Sequence, residues 1–189
     1  MHPTWQARLR GEIRVNIPHR FLTNDPASFD AASILEKLPI LDAVYNESLR
    51  LMPPSPTSNR VTKSDTSVLG QPVPAGTKLF VASYAANRFE KFWGPTAETF
   101  DPSRWLEGHG SDKKADGSSN YGFMPFLHGP RKCIGHIYAT SEIRLFLAAF
   151  VGRFEFEMAD KGEVPIPAGV LTIKPKNGLK LRMRPVKPW

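Results

Sequence analysis

The ten residues Phe126 to Gly135, FLHGPRKCIG, constrain the fold of this chain more than any other stretch. They hold the only cysteine of the 189-residue chain, Cys133, between two glycines. Residues 134–151 follow directly and place apolar side chains around nearly the whole circumference of a helix, which is typical of a buried core helix. Because glycine permits sharp turns, the pattern predicts a tight loop that leads into the first turn of a core helix over 134–151.

The position of Cys133 favours a thiolate. Unpaired backbone N–H groups and the positive end of the helix dipole lie at a helix start, and both stabilise a negative sulfur. A thiolate with no second cysteine nearby suits the axial position of a haem iron, onto which it donates electron density. Arg131, two residues earlier, is placed to pair with a haem propionate. Without these flanking residues, a lone cysteine would most simply be a small buried apolar residue.

Other chemistries of cysteine and histidine fit the sequence less well. Zinc is excluded, because one cysteine and five dispersed histidines offer no ligand cluster. His128 and His136 flank Cys133 and raise the possibility of a cysteine hydrolase. Such an enzyme also needs an orienting third group and an oxyanion site, and we find neither in the sequence.

The pattern Phe-x-x-Gly-x-Arg-x-Cys-x-Gly resembles the haem-binding loop of the cytochrome P450 family. The resemblance implies that Cys133 is the axial thiolate ligand of the iron of haem b (iron protoporphyrin IX). The residues that carry the pattern are Phe126, Gly129, Arg131, Cys133 and Gly135.

Three further haem contacts follow from the same resemblance. Ala139 stands six positions after the cysteine, where the family usually has a small residue because bulk would press on the porphyrin. Arg60 occupies a position that commonly reaches the other propionate; the alternative is an exposed arginine at the start of a strand. His128 lies in the glycine turn, where it either bonds a propionate or faces solvent.

A second motif lies in the helix predicted over 38–52, which ends before Pro53. Glu47 and Arg50 are three residues apart and therefore neighbours on this helix; by themselves they would be an ordinary surface ion pair. In this order before the cysteine loop they resemble the family's Glu-x-x-Arg motif, and residues 100–105, FDPSRW, resemble its Phe-x-Pro-x-Arg-Trp segment. The resemblance implies a buried structural cluster of Glu47, Arg50 and Arg104, with backbone carbonyls of the Cys133 loop as additional acceptors.

The remaining pattern predicts a single domain that is mainly α-helical with small β-sheets, an α+β fold. The predicted elements are scaffold helices over 8–15 and 28–38, strands over 61–66 and 77–82 within the segment 60–107, a flexible loop over 108–120, and terminal strands over 154–185 with a hairpin at Asn177-Gly178.

The chain is much shorter than the family it resembles. The resemblance therefore implies the C-terminal part of one haem-thiolate domain, helices J to L and the terminal strands, without the N-terminal half or the distal I helix. The acid–alcohol pair that delivers protons lies on that distal helix in relatives, so we assign no catalytic residue in this chain. We also expect no membrane anchor or signal in this chain. For a full-length eukaryotic relative, the resemblance implies a location at the endoplasmic reticulum membrane.

The function implied by the resemblance is monooxygenation of an apolar small molecule. One oxygen atom of O2 is inserted, with electrons from an NADPH-dependent reductase or another donor at the proximal face. Two alternatives stay open: a non-catalytic truncated relative, and a haem-thiolate isomerase or peroxygenase. With only the proximal half of the haem site, we expect the isolated chain to be inactive and to bind haem weakly at most. Residues that correspond to the border of the substrate pocket are Pro56, Thr57, Ser58, Val170 and Leu171.

The formal net charge of +7 is compatible with several kinds of anionic partner. Nucleic acid is not predicted, because the basic residues are scattered and do not form a run interleaved with aromatic residues. A basic surface on a haem-thiolate protein has a simpler use, which is to attract an acidic electron-transfer partner to the cysteine side.

Overall fold

The structure is a computed structural model that describes residues 2–17, 31–106, 121–169 and 171–187. Its helices are α1 (Pro3–Asn16), α2 (Ala31–Leu35), α3 (Pro39–Leu51), α4 (Ser83–Ala86), α5 (Glu90–Trp93) and α6 (His136–Arg153), with 3-10 turns at Pro102–Trp105 and Gly129–Arg131. Its strands are β1 (Ser58–Val61), β2 (Thr66–Val68), β3 (Gln71–Val73), β4 (Lys78–Val81), β5 (Phe154–Met158), β6 (Pro167–Ala168), β7 (Lys174–Pro175) and β8 (Leu181–Pro185).

These strands form two-stranded antiparallel sheets, pairing β1 with β4, β2 with β3, β5 with β8, and β6 with β7. The described part of the chain is thus a mixture of helices and small sheets, as the sequence predicts. None of its helices combines the length and the apolar character that crossing a membrane requires.

The core lies where α1, α3 and α6 meet. Leu9 and Ile13 are four residues apart on α1, so they share one face, and both are buried with Leu41 of α3 and Val151 of α6. Arg10 ties the other side of α1 to the end of α6 by donating hydrogen bonds to the carbonyls of Val151 and Phe154, at 3.0 and 2.8 Å. The position of α3, which carries Glu47, is therefore set by its contacts with two other helices.

Glu12 of α1 caps the start of α3 from outside that helix. Its two carboxylate oxygens accept the backbone N–H groups of Ile40 and Leu41, each at 2.8 Å. These amides belong to the first turn of α3, where the helix itself supplies no acceptor. The contact explains how a helix that begins at a proline is fixed against α1.

We expect Glu12→Gln to lower the free energy of unfolding by about 1 kcal/mol, as for the loss of a helix cap. The glutamine amide has only one oxygen to accept with, so one of the two N–H groups loses its partner. Urea denaturation measures the change, with Glu142→Gln on the exposed side of α6 as the control. Equal stability of the two variants would show that the cap does not stabilise α3.

The prediction that residues 134–151 form a buried core helix is wrong for most of α6. Only Ala148, Val151 and Gly152 of this helix are buried. A side chain is buried only where other residues pack against it, and the described residues cover α6 most closely near its C-terminal end. The helix also begins at His136 rather than at residue 134. Its exposed large apolar residues, including the one just ahead of it, are Ile134, Ile137, Tyr138, Leu145 and Phe146.

The first predicted strand is displaced. A strand was predicted over 61–66, but β1 is Ser58–Val61 and pairs residue by residue with β4. The chain then turns, and the carboxylate of Asp65 accepts the backbone N–H of Ala75 at 2.8 Å. As a consequence, Arg60 lies within β1 rather than ahead of a strand.

The predicted hairpin at Asn177-Gly178 does not form. Gly178 turns the chain with a φ of 75°, but β7 pairs with β6, and β8 pairs with β5 along five residues. β5 pairs with β8 along all five residues of both strands, and Arg182 of β8 forms an ion pair with Glu157 of β5 at 3.2 Å. By contrast, Pro175 in β7 has no N–H to donate to a ladder.

The other predicted elements differ in length or lie elsewhere. α1 begins five residues before the predicted helix over 8–15, and α2 covers only part of the predicted helix over 28–38, of which residues 28–30 are outside the described residues. The predicted loop over 108–120 also lies outside them.

Candidate functional site

The three charged residues expected to cluster are brought together in the interior. Glu47 and Arg50 of α3 are both fully buried, and the guanidinium of Arg50 donates two hydrogen bonds of 2.8 Å to the two carboxylate oxygens. Arg104, in the 3-10 turn that packs against α3, donates to Glu47 Oε1 at 3.3 Å. The spacing of three residues on one helix sets the first pair, and the fold adds the third member.

Two neutral donors complete the surroundings of the Glu47 carboxylate. The backbone N–H of Asp101 donates to Oε1 at 2.8 Å, and the indole N–H of Trp105 donates to Oε2 at 3.0 Å. Burial acts to raise the pKa of Glu47, but the hydrogen bonds from Arg50, Asp101 and Trp105 outweigh it and hold the pKa below its ordinary value. The carboxylate is therefore charged in the folded protein.

The prediction that the Cys133 loop supplies the additional acceptors is wrong. Arg50 donates to the carbonyls of Asn87, Ala97 and Thr99, and Arg104 donates to that of Thr96 at 2.7 Å. All of these carbonyls belong to the segment 87–99, which folds over the end of α3. A buried guanidinium needs acceptors for each of its N–H groups, and this segment is the part of the chain that reaches them.

The same segment connects the cluster to the region ahead of the cysteine loop. The side-chain oxygen of Asn87 accepts the backbone N–H of Met124 at 3.0 Å, and Trp93 Nε1 donates to the carbonyl of Gly122 at 3.1 Å. The ring of Phe123 lies against Trp105, with 4.7 Å between ring centroids. Our sequence analysis missed Asn87 and Trp93 as connecting residues. The one signal available was that two of the four tryptophans lie close together in sequence, Trp93 within the segment and Trp105 six residues after it.

Cys133 is exposed, and its backbone is held on both sides. Its N–H donates to the carbonyl of Phe126 at 2.9 Å, which closes the loop. Its carbonyl accepts from the backbone N–H of His136 at 3.4 Å and from the His136 ring Nδ1 at 3.1 Å. The cysteine thus lies three residues before the start of α6, at the end of a fixed loop.

Gly129 and Gly135 differ in backbone conformation. Gly129 has a φ of 74°, a conformation that favours glycine, so it makes the predicted sharp turn. Gly135 also lies in a turn, directly ahead of α6, but its φ of −86° is one that any residue adopts, so this turn does not require a glycine. A Cβ added there would meet the Cys133 sulfur at 4.0 Å, which is an ordinary contact.

The remaining haem-contact candidates lie at three places in the fold. Arg60 is exposed on β1 and donates to Ser58 Oγ and to the Asn59 carbonyl, at 2.6 and 2.8 Å. His128 is exposed, and its ring is hydrogen-bonded to the carbonyl of Phe123 at 3.0 Å. Arg131 is exposed in the 3-10 turn next to the cysteine, and Ala139 is half-buried in the first turns of α6.

The substrate-contact candidates that the structure describes are not among the residues that line a nearby apolar groove. The N–H of Ile173 donates to the Pro54 carbonyl at 2.7 Å, which joins the end of α3 to the β6–β7 turn. Leu171 is exposed in that turn, whereas Val170 is outside the described residues. Pro56, Thr57 and Ser58 follow Pro54 along the chain. The groove, of about 270 Å³, is lined by Met52, Pro54, Pro165, Pro167, Ile173, Lys174, Pro175 and Leu179.

The chemistry exposed around Cys133 fits a haem. One sulfur donor is accessible, and the large apolar side chains of Ile134, Ile137 and Tyr138 are exposed beside it. Arg131 adds a guanidinium to the same loop. A flat apolar ring that carries two carboxylates and an iron is complementary to a thiolate, an apolar surface and a cation.

Comparison with known proteins agrees with the geometry. A family model described as cytochrome P450 matches residues 1–181. The chain is 59% identical over 197 residues to cytochrome P450 monooxygenase abl5 of Leptosphaeria maculans, across 100% of this chain and 36% of that protein. It is 42% identical over 189 residues to cytochrome P450 monooxygenase sphH of Aspergillus fumigatus, across 100% of this chain and 34% of that protein.

A plant relative is similar over a comparable share of its length. The chain is 35% identical over 185 residues to cytokinin hydroxylase of Arabidopsis thaliana, across 98% of this chain and 33% of that protein. It thus spans about a third of the length of these curated relatives. The match of the family model to nearly the whole chain, together with these identities, shows that the chain belongs to the cytochrome P450 family.

Proposed function

We propose that this chain provides the proximal side of a haem-thiolate monooxygenase site. In the proposed reaction, one oxygen atom of O2 is inserted into an apolar organic substrate. The observation that carries the proposal is the exposed sulfur of Cys133, held at the end of a closed loop in a chain of the cytochrome P450 family. The proposal is supported by the apolar surface next to this sulfur.

Cys133 would hold haem b as the axial thiolate. Arg131, His128 and Arg60 would bind the propionates. When bound, the haem supplies the redox chemistry of dioxygen, and a thiolate ligand donates electron density to it. The residues that would flank the ring on the cysteine side are Phe126, Gly129, Gly135 and Ala139.

The Glu47, Arg50 and Arg104 cluster would have a structural role in this site. It holds α3 to the segment 87–99, and Asn87 of that segment holds Met124, two residues before Phe126. The carbonyl of Phe126 in turn holds the N–H of Cys133. The cluster would therefore keep the sulfur in place without contacting the reacting atoms.

The chain would be part of a longer haem-thiolate domain, because it spans about a third of the length of its relatives. The order of its motifs, with Glu-x-x-Arg ahead of the cysteine loop, supports the C-terminal part of that domain. Proton delivery to oxygen and most of the substrate cavity would then come from residues outside this chain, and the chain by itself would be inactive. The groove that Pro54 and Ile173 help to line is mainly apolar, which supports an apolar substrate.

Electrons would come from an NADPH-dependent reductase or another donor that docks at the proximal face. The two exposed cations next to the sulfur, Arg131 and Lys132, suit a donor with an acidic surface. We expect the rate of haem reduction to fall about tenfold when the salt concentration rises from about 0.05 to about 0.5 M, since salt screens charge attraction over this range.

Stopped-flow reduction of the haem measures this dependence. Lys132→Gln should lower the rate at low salt, whereas Lys161→Gln, beside β5 and away from the cysteine loop, should leave it unchanged. A reduction rate that does not respond to salt would contradict charge-guided docking.

The proposed reaction is tested by isotope incorporation. The test uses the longer haem-loaded protein that contains this chain, because the chain by itself is expected to be inactive. This haem-loaded protein is supplied with a reductase, NADPH, an apolar substrate and 18O2, and the product is analysed by mass spectrometry. We expect one 18O atom per product molecule and no product without the reductase. Turnover that uses peroxide alone would instead indicate a peroxygenase, and rearrangement without oxygen uptake would indicate an isomerase. Failure to take up haem with the fold retained would indicate a non-catalytic relative.

A further inference from the structure

A hydrogen bond joins the buried helix α3 to the helix that follows the cysteine loop. The hydroxyl of Tyr45 lies 2.7 Å from Thr140 Oγ1 of α6. Tyr45 is buried, at 4% exposure, and lies two residues before Glu47 on the same helix. The bond therefore starts from the same helix as the ion cluster and reaches α6 directly.

The direction of this bond follows from the second contact of Thr140. Its hydroxyl donates to the carbonyl of His136, one turn earlier in α6, at 2.7 Å. A hydroxyl has one proton, so Thr140 accepts from Tyr45 and the tyrosine is the donor. Burial raises the pKa of Tyr45, so its hydroxyl keeps the proton that this arrangement needs.

The chain of contacts continues to the cysteine through His136. The ring Nδ1–H and the backbone N–H of His136 both point to the carbonyl of Cys133, at 3.1 and 3.4 Å. Tyr45 thus fixes Thr140, Thr140 fixes the carbonyl of His136, and His136 fixes the peptide that carries the sulfur. This route does not pass through the segment 87–99.

We propose that Tyr45, Thr140 and His136 form a positioning relay that holds the Cys133 backbone at the start of α6. The inference rests on the proposed role of Cys133 as the haem ligand. None of the three residues is a catalytic residue, because each acts on the sulfur through the backbone. A loss of the relay would let the first turn of α6 move relative to α3 and take the sulfur with it.

A second contact between the same two helices provides the control. Arg144 of α6 donates to Asp42 of α3 at 2.7 Å, one turn farther from the cysteine. Arg144 also lies over the Tyr45 ring, at 5.7 Å from its centroid. Asp42→Asn weakens the contact of α3 with Arg144 but keeps both hydroxyls of the relay and the hydrogen bond between them. An effect specific to the relay should therefore appear in Tyr45→Phe and Thr140→Val and be missing from Asp42→Asn.

The first measurement is hydrogen exchange of the Cys133 and His136 amides after haem removal, relative to the buried Leu49 amide of α3. We expect both relay variants to exchange at these two amides about threefold to tenfold faster, the factor for one hydrogen bond. Thr140→Ser keeps a hydroxyl and should restore the wild-type rate. Rates in the relay variants that match those of Asp42→Asn would overturn the relay.

The second measurement is the spectrum of the reduced carbon monoxide complex of the haem-loaded protein. We expect the fraction of complexes with the thiolate absorption band to fall in Tyr45→Phe and Thr140→Val and to stay at the wild-type value in Asp42→Asn. An unchanged fraction in both relay variants would overturn the inference. A wild-type protein without this band would refute the haem-thiolate function instead, and hydrogen exchange would then decide the relay by itself.

Discussion

Glu47→Gln is expected to lower the free energy of unfolding by about 3–5 kcal/mol, the cost of removing one partner from a buried ion pair. The variant keeps the shape of the side chain but removes its charge. Arg50 would then be a fully buried cation without its carboxylate, and Arg104 and Trp105 would each lose a charged acceptor. Urea denaturation, followed by the fluorescence of the nearby tryptophans Trp93 and Trp105, measures the loss.

The matched control is Glu98→Gln. Glu98 also pairs with an arginine, Arg88, at 3.0 Å, but its side chain is 75% exposed. An exposed pair contributes little, so we expect a change below about 1 kcal/mol. Equal effects of the two substitutions would show that the buried cluster does not hold the fold together.

The same carboxylate gives stability a pH dependence. The pKa of Glu47 is lower in the folded protein than in the unfolded chain, because its hydrogen bonds outweigh the effect of burial. Its contribution is therefore complete above the unfolded pKa of about 4.5 and is lost as the pH falls through the folded pKa. We expect Glu47→Gln to remove this part of the acid sensitivity. Unfolding curves between about pH 3 and about pH 6 would contradict the assignment if both proteins lost stability in parallel.

Cys133→Ala is expected to abolish thiolate ligation and to leave the fold almost unchanged. The side chain is exposed, so its removal should alter the free energy of unfolding by less than about 0.5 kcal/mol. Cys133 is the only cysteine in the chain, so no other residue of the chain can supply a thiolate in its place. The reduced carbon monoxide spectrum of the haem-loaded variant should lack the thiolate band completely.

Lys132→Ala is the control for this substitution, since it changes the neighbouring exposed residue of the same loop. It should keep the thiolate band and the haem content of the wild type. A Cys133→Ala protein that still shows the band would mean that the sulfur is not the ligand. A loss of folding in Cys133→Ala would mean instead that the cysteine is part of the protein's structural support.

The sequence was informative where a motif is local and less so where the fold brings distant segments together. Glu47 and Arg50 could be placed side by side from their spacing on one helix, and the family pattern added Arg104. The carbonyls of Asn87, Ala97 and Thr99 could not be foreseen, because they lie in the turns on either side of the short helix α5, whose path depends on tertiary packing. Tyr45 and Thr140 are 95 residues apart, and nothing local to either predicts their contact.

The errors in the predicted elements have the same origin. An apolar circumference indicated burial of α6, but whether an apolar face is buried depends on what packs against it. The Asn177-Gly178 dipeptide predicted a turn, and Gly178 does turn. The strands on either side nevertheless pair elsewhere, because the Phe154–Met158 strand is a longer partner for residues 181–185 than β7 could be.

The most direct test of Cys133 as the haem ligand is iron X-ray absorption on the haem-loaded protein. Ligation by Cys133 predicts one sulfur atom in the first shell of the iron in the wild type and none in Cys133→Ala. A first shell that contains only nitrogen and oxygen atoms in the wild-type protein would contradict the proposal.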